Sequence, residues 1–129
     1  MKRLFLVVSL LAFGFIAQAN AADPNAADPN AANHGDHGTV LYRIYCTQCH
    51  GVHGKGNGIN AAQMSVQPHD HTDTKSMSTR TDAGLFKVIQ QGGGSIDKSI
   101  LMPVWGGNFT DADIHALVGH VRELCCKKK

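Results

Sequence analysis

The five residues Cys46-Thr47-Gln48-Cys49-His50 constrain this chain more than any other part of its sequence. Two thiols three positions apart at the end of a helix can reach the two vinyl groups on one edge of a porphyrin, and the adjacent imidazole can reach the iron. A C-x-x-C-H motif is therefore typical of c-type haem attachment. The motif predicts Cys46 and Cys49 as the covalent attachment sites of one haem c and His50 as an axial iron ligand.

Three other interpretations of the motif fit the rest of the sequence less well. A thioredoxin-like redox pair needs a strand and a βαβ unit, and no strand pattern precedes Cys46. A zinc site needs a second pair of ligands, but Cys125 and Cys126 are adjacent to each other and have the wrong spacing. A plain structural disulfide is the remaining alternative.

Residues 1–19 are predicted to be a cleavable signal peptide. Lys2 and Arg3 precede an apolar run from Leu4 to Ile16, and Ala17-Gln18-Ala19 supplies small residues for cleavage. The rival interpretation is an uncleaved membrane anchor, but the run of 13 residues is shorter than the roughly 20 that a membrane-spanning helix needs. The protein is therefore expected in the periplasm.

Residues 20–36 are predicted to be a disordered linker, which contains a short-period repeat from Ala21 to Asn33. Pro24 and Pro29 lie five positions apart, a spacing that one helix does not tolerate, and the repeat has no large apolar side chain to bury. The folded domain is therefore predicted to span residues 37–129.

The charge balance disfavours nucleic acid as a partner. The formal net charge is +2, with 12 basic and 10 acidic side chains. Removal of Lys2 and Arg3 with the signal peptide leaves ten of each sign, and the one cationic cluster is at residues 127–129. Phosphate binding needs a basic surface.

The rest of the pattern predicts an all-α domain. A first helix is expected from about Gly38 to His50, and a second from Asp82 to Gln91 with Thr81 as its N-cap. The last helix follows Thr110 and Asp113, which have the spacing of a capping box. Its apolar stripe consists of Ile114, Leu117, Val118, Val121 and Cys125.

The sixth iron ligand is predicted to be Met102. It stands in Leu101-Met102-Pro103-Val104-Trp105-Gly106, where Pro103 fixes the chain direction and the Trp105 ring can cover the haem. A thioether is a soft donor that raises the reduction potential relative to a second imidazole. A second histidine, above all His69 or His71, and an open site are the alternatives. The other candidates are Met64, Met77, His53, His115 and His120.

From Gly38 to Leu124 the chain resembles the class I cytochromes c, specifically the small bacterial periplasmic proteins with one haem. The C-x-x-C-H motif and the later Met-Pro-x-Trp-Gly segment carry this resemblance. It implies a cytochrome c fold of three to four short helices around one covalent haem, with Met102 as distal ligand. It also implies that the first helix packs on the last through Gly38 and Tyr42, although His120 stands where the family usually has an aromatic residue.

The resemblance implies an electron-transfer protein that is not an enzyme, that binds no substrate at the iron and that exchanges electrons with redox partner proteins. The alternatives are a haem c subunit of a larger oxidoreductase and a haem enzyme or gas sensor with an open distal site. Cys125 and Cys126 are expected to remain two thiols or to form an intermolecular bridge, with a possible dimer through Cys126, because a disulfide between sequence neighbours forms a strained ring.

Overall fold

The computed structural model describes residues 31–126 and contains five α-helices and no strand within that range. The all-α prediction is therefore confirmed, although five helices exceed the three to four expected. The predicted signal peptide, the linker up to residue 30 and residues 127–129 lie outside the described residues. None of the described helices has the length and apolar character that crossing a bilayer requires. The helices are α1 Ala31–Tyr45, α2 Thr47–His50, α3 Thr74–Ser78, α4 Asp82–Gln91 and α5 Asp111–Cys126, with 3₁₀ turns at Ala61–Gln63 and Gly93–Ile96.

Helix α1 includes residues 31–37, so the last six residues of the predicted linker are helical and the expected start near Gly38 was too late. No proline follows Pro29 in this stretch, and alanine favours helix more than any other residue. The helix also ends earlier than predicted. It breaks at Cys46, and α2 restarts the helical path with the amide of His50 bonded to the carbonyl of Cys46 at 2.9 Å.

The caps of α4 and α5 follow the sequence prediction closely. The hydroxyl of Thr81 accepts a hydrogen bond from the amide of Gly84 at 3.0 Å. At the start of α5, the Thr110 hydroxyl accepts from the Asp113 amide, and the Asp113 carboxylate accepts from the Thr110 amide at 2.9 Å. This reciprocal pair is a capping box.

Helix α5 is the centre of the fold, because α1, α3 and α4 all pack against it. The closest approach is between α1 and α5 at Gly38, where a Cβ would lie 2.0 Å from the carbonyl oxygen of Ala116. Apolar side chains fill the space between the helices. This core consists of Tyr42, Met77, Leu85, Ile89, Ile114, Leu117, Val118 and Val121.

His120 occupies the helix crossing where the resembled family usually has an aromatic side chain. It is buried, its ring centroid lies 4.7 Å from that of Tyr42, and its Nδ1 is 3.0 Å from the hydroxyl oxygen of Thr39. The expected contact of α1 with α5 through Gly38 and Tyr42 is thus present. An imidazole supplies the flat ring and also hydrogen-bonds across the crossing.

Arg122 ties α5 to the segment between α3 and α4, and the sequence analysis did not single it out. Its guanidinium donates to the carbonyl oxygens of Met77, at 2.9 Å, and of Arg80, and to the carboxylate of Asp82, at 2.6 Å. A guanidinium is suited to this role because it offers five donors in a fixed plane. The peptide that precedes α4 is thereby held against α5.

The expectation for the two C-terminal cysteines was wrong, because the structure joins Cys125 to Cys126 in a disulfide. Both residues lie in the last turn of α5, where the carbonyls have no following amides to bond and the backbone can adapt to the ring. While this disulfide is formed, Cys126 has no thiol for the dimer that the sequence allowed. The Cys125 carbonyl accepts a hydrogen bond from the Thr74 hydroxyl of α3 at 2.9 Å.

Candidate functional site

A cavity of about 330 Å³ is lined by the C-x-x-C-H segment and by the α4–α5 connection. Its walls are mainly apolar. All six residues that the sequence predicts to hold or cover the haem line it, namely Cys46, Cys49, His50, Met102, Pro103 and Trp105. The fold therefore brings together two segments that lie about fifty positions apart in the chain.

Cys46 and Cys49 reach the cavity because the helix breaks between α1 and α2. Both are half-buried and neither forms a disulfide. This excludes the structural disulfide that the sequence left open for this pair. Burial raises the pKa of the Cys46 thiol to about 12, and the neighbouring Cys49 adds to the shift. Before haem is attached, Cys46 is therefore a neutral thiol at physiological pH.

His50 is held in one orientation by a backbone hydrogen bond. Its Nδ1 lies 3.2 Å from the carbonyl oxygen of His69 and donates to it. The other ring nitrogen, Nε2, is thereby left as the metal-binding atom. Burial lowers the pKa of His50, so the imidazole is neutral, as a metal ligand must be. The sequence analysis did not identify this carbonyl, which belongs to the residue after Pro68.

His69 and His71 lie on the same wall as His50. The His71 ring stacks on the His50 ring, with centroids 4.4 Å apart and an angle of 18° between the planes. Its Nδ1 lies within hydrogen-bond distance of the Tyr42 hydroxyl, at 3.2 Å. Burial, followed by the charges of His50 and His69, lowers the pKa of His71 to about 3. The Nε2 atom of His69 is 3.2 Å from the Ser76 hydroxyl.

The segment that carries Met102 is fixed to the end of α4 by backbone hydrogen bonds. The Met102 carbonyl accepts from the Gly93 amide at 3.2 Å, and the Trp105 amide donates to the Ile89 carbonyl at 3.3 Å. Gly92 has a φ of 76°, in the left-handed region, and a Cβ there would lie 2.8 Å from the Met102 carbonyl oxygen. Only glycine allows this approach without strain.

Trp105 packs at the edge of the cavity within a group of aromatic rings. Its ring stacks on Phe109, with centroids 4.9 Å apart, and meets the edge of Tyr45 at 5.5 Å. Tyr45 stands one position before Cys46, at the end of α1. The aromatic group therefore connects the Met102 segment to the helix that precedes the C-x-x-C-H motif.

The other candidate ligands divide into two groups. Met64, Met77, His69 and His71 also line the cavity, and Met77 is fully buried in the core. The remaining three, His53, His115 and His120, are not among its lining residues. His115 packs on Phe86, with ring centroids 4.7 Å apart, and His120 lies at the α1–α5 crossing.

Arg80 lines the same cavity and was missed by the sequence analysis. Its Nε is buried, and no protein atom within the described residues accepts a hydrogen bond from it. A buried cationic donor without a hydrogen-bond acceptor lowers the stability of a folded protein. A haem carries two propionates, so this group suits an anionic edge of the cofactor. A single arginine in Ser78-Thr79-Arg80-Thr81 carries no sequence signal for that role.

A strand-free helical fold over residues 31–126, closed around a largely apolar cavity with a C-x-x-C-H motif in its wall, defines a c-type cytochrome. The family model described as cytochrome c oxidase, cbb3-type, subunit III, matches residues 33–121. The chain belongs to this family, and its cofactor is covalently attached haem c. It is therefore a c-type haem electron-transfer protein or a subunit with that role. The search of curated proteins gives no match.

Proposed function

We propose that this protein transfers single electrons through a haem c attached to Cys46 and Cys49, with His50 and Met102 as the two axial ligands. The observation that carries the proposal is that His50 and Met102 line one cavity from two separate segments. A backbone hydrogen bond fixes the first, and the Met102 segment is anchored to the end of α4. The bound haem supplies the iron that alternates between the ferric and ferrous states.

The positions of His69 and His71 favour Met102 over a second histidine. The His71 ring lies face to face with His50, and His69 provides the carbonyl that His50 bonds. Both therefore lie beside His50 in the lining of the cavity, whereas a sixth ligand would have to come from another part of that lining. Met102 belongs to the connection between α4 and α5, which is a separate segment of the lining.

A site with both axial positions filled suits electron transfer, because little bonding rearrangement accompanies the change of oxidation state. The Met102 thioether favours ferrous iron and raises the potential. We assign Arg80 to a haem propionate, because its buried Nε needs an anionic acceptor inside the cavity.

The family description supports one particular setting for this chemistry. Because the chain belongs to the family described as subunit III of a cbb3-type oxidase, we propose that it passes electrons to a partner protein, either as a subunit of an oxidase or as a free carrier. The predicted signal peptide at residues 1–19 supports a periplasmic location. The alternative function is a haem enzyme or gas sensor with an open distal site. The following experiment distinguishes it from electron transfer.

The axial assignment is tested with Met102→Ala and the matched control Met64→Ala, since both methionines line the cavity. The purified ferric protein should show the weak sulfur-to-iron charge-transfer band, and the ferrous protein should bind carbon monoxide poorly. Met102→Ala should abolish the band, admit carbon monoxide and lower the potential, whereas Met64→Ala should keep the band. Rapid carbon monoxide binding by the unmodified protein would overturn the carrier function.

The attachment sites are tested by intact mass after acid denaturation. The processed chain should carry the mass of one haem, and the haem should resist extraction into organic solvent. Cys46→Ser and Cys49→Ser should each weaken attachment. A bare chain mass for the unmodified protein would contradict the assignment of these two residues.

A further inference from the structure

His71 makes more specific contacts than a side chain needs for packing alone. Its ring lies parallel to the ring of His50, at a centroid distance of 4.4 Å and an angle of 18°. A separation this small leaves no space for water between the two faces. His71 is 21 positions away from His50 in the chain, so the tertiary fold is what brings the two rings together.

Three contacts hold His71 in this position. Its amide donates to the Gly54 carbonyl at 2.6 Å, and its Nδ1 shares a hydrogen bond with the Tyr42 hydroxyl at 3.2 Å. The Tyr42 ring also meets it edge-on, with centroids 5.9 Å apart. Tyr42 is itself fixed, because only 1% of its surface is exposed at the α1–α5 crossing. The His71 ring is therefore held in place by a buried side chain, that of Tyr42.

The His50 ring needs a second restraint of this kind. The hydrogen bond to the His69 carbonyl fixes the position of one nitrogen, Nδ1, but the ring can still tilt about that bond. A flat surface against its face removes the tilt. We infer that His71 is a positioning residue for the proximal ligand: its imidazole sets the plane of the His50 ring and, through it, the electronic state of the iron. This inference rests on the proposed function, in which His50 ligates the iron.

The stacked ring also affects the oxidation equilibrium. The iron-bound imidazole is more positive in the ferric state, and the π face of an aromatic ring attracts positive charge. His71 therefore stabilises ferric iron relative to an aliphatic side chain of similar size. Its replacement by leucine should favour the ferrous state and raise the potential.

The test compares His71→Leu, which removes the ring, with His71→Phe, which keeps a flat ring. The control is His115→Leu, because His115 is exposed and does not line the cavity. We expect His71→Leu to shift the ferric–ferrous equilibrium threefold to tenfold toward ferrous, where tenfold is about 59 mV for one electron. The ferric electron paramagnetic resonance spectrum, which depends on the ligand planes, should change as well. His71→Phe should retain most of the native spectrum, and His115→Leu should alter neither quantity.

The inference is overturned if His71→Leu has the native potential and spectrum, or if the leucine and phenylalanine variants shift equally. If His71→Leu does not load haem, His71→Gln takes its place in the same comparison. Ligation by His50 is tested separately with His50→Gly, whose native-like spectrum should return when free imidazole is added. A spectrum that is unaffected by His50→Gly would overturn the proposed function, whereas a native His71→Leu overturns only the role of His71.

Discussion

The close approach of α1 and α5 at Gly38 makes a sharp prediction for Gly38→Ala. The new methyl carbon would lie 2.0 Å from the carbonyl oxygen of Ala116 and 2.6 Å from its carbonyl carbon. Both are backbone atoms, so no change of rotamer relieves the clash and the helices have to separate. Overpacking of this kind costs roughly 1–3 kcal/mol. Because the clash is with backbone atoms, we place the cost of Gly38→Ala at the upper end of this range. The higher helix propensity of alanine offsets about 1 kcal/mol of that cost.

We therefore expect Gly38→Ala to lower the free energy of unfolding by about 2 kcal/mol. That loss corresponds to a fall of about 8–16 °C in Tm for a domain of this size. Gly119→Ala is the matched control, because Gly119 lies in α5 with open space around its Cβ position. It should stabilise the protein by up to about 1 kcal/mol. Thermal and urea denaturation of the haem-loaded protein measure both changes. A Gly38→Ala protein as stable as the unmodified one would refute this packing argument.

Three further predictions follow from side chains away from the iron. Arg122→Ala should destabilise the protein by about 2–4 kcal/mol in urea denaturation, because it leaves two carbonyls without donors, whereas Asp82→Asn should cost less than about 1 kcal/mol, since that carboxylate is mostly exposed. Cys125 and Cys126 should take up an alkylating reagent only after reduction, and labelling of the untreated protein would contradict the disulfide. Hydrogen bonds from His37 and Thr110 lower the pKa of Asp113 to about 2. The contribution of Asp113 to the free energy of unfolding should therefore be complete above the unfolded pKa near 4 and should be lost as the pH falls toward 2. An Asp113→Asn protein with the same acid unfolding profile as the unmodified protein would contradict this.

The sequence by itself determined the features that depend on neighbouring residues. Helix caps involve groups three positions apart, so Thr81 and the pair Thr110 and Asp113 were identified correctly. The C-x-x-C-H spacing pointed to the cofactor because its geometry is set within five residues. The all-α class followed from apolar spacing along the chain. The start of α1 was wrong, because the proline-free residues that follow Pro29 are compatible with either a linker or a helix.

Only the tertiary structure decided which distant groups meet. Four methionine and histidine candidates besides Met102 line the cavity, and one of them, His71, stacks against the face of the His50 ring. The partnerless Nε of Arg80 and the bonds of Arg122 depend on segments 40 or more positions apart or on the cavity itself. The spatial distance between such groups cannot be read from their positions in the sequence. The packing of α1, α3 and α4 against α5 determines which of these groups come into contact. The C-x-x-C-H motif was predictable because it lies within five neighbouring residues, whereas the contacts around it depend on that packing.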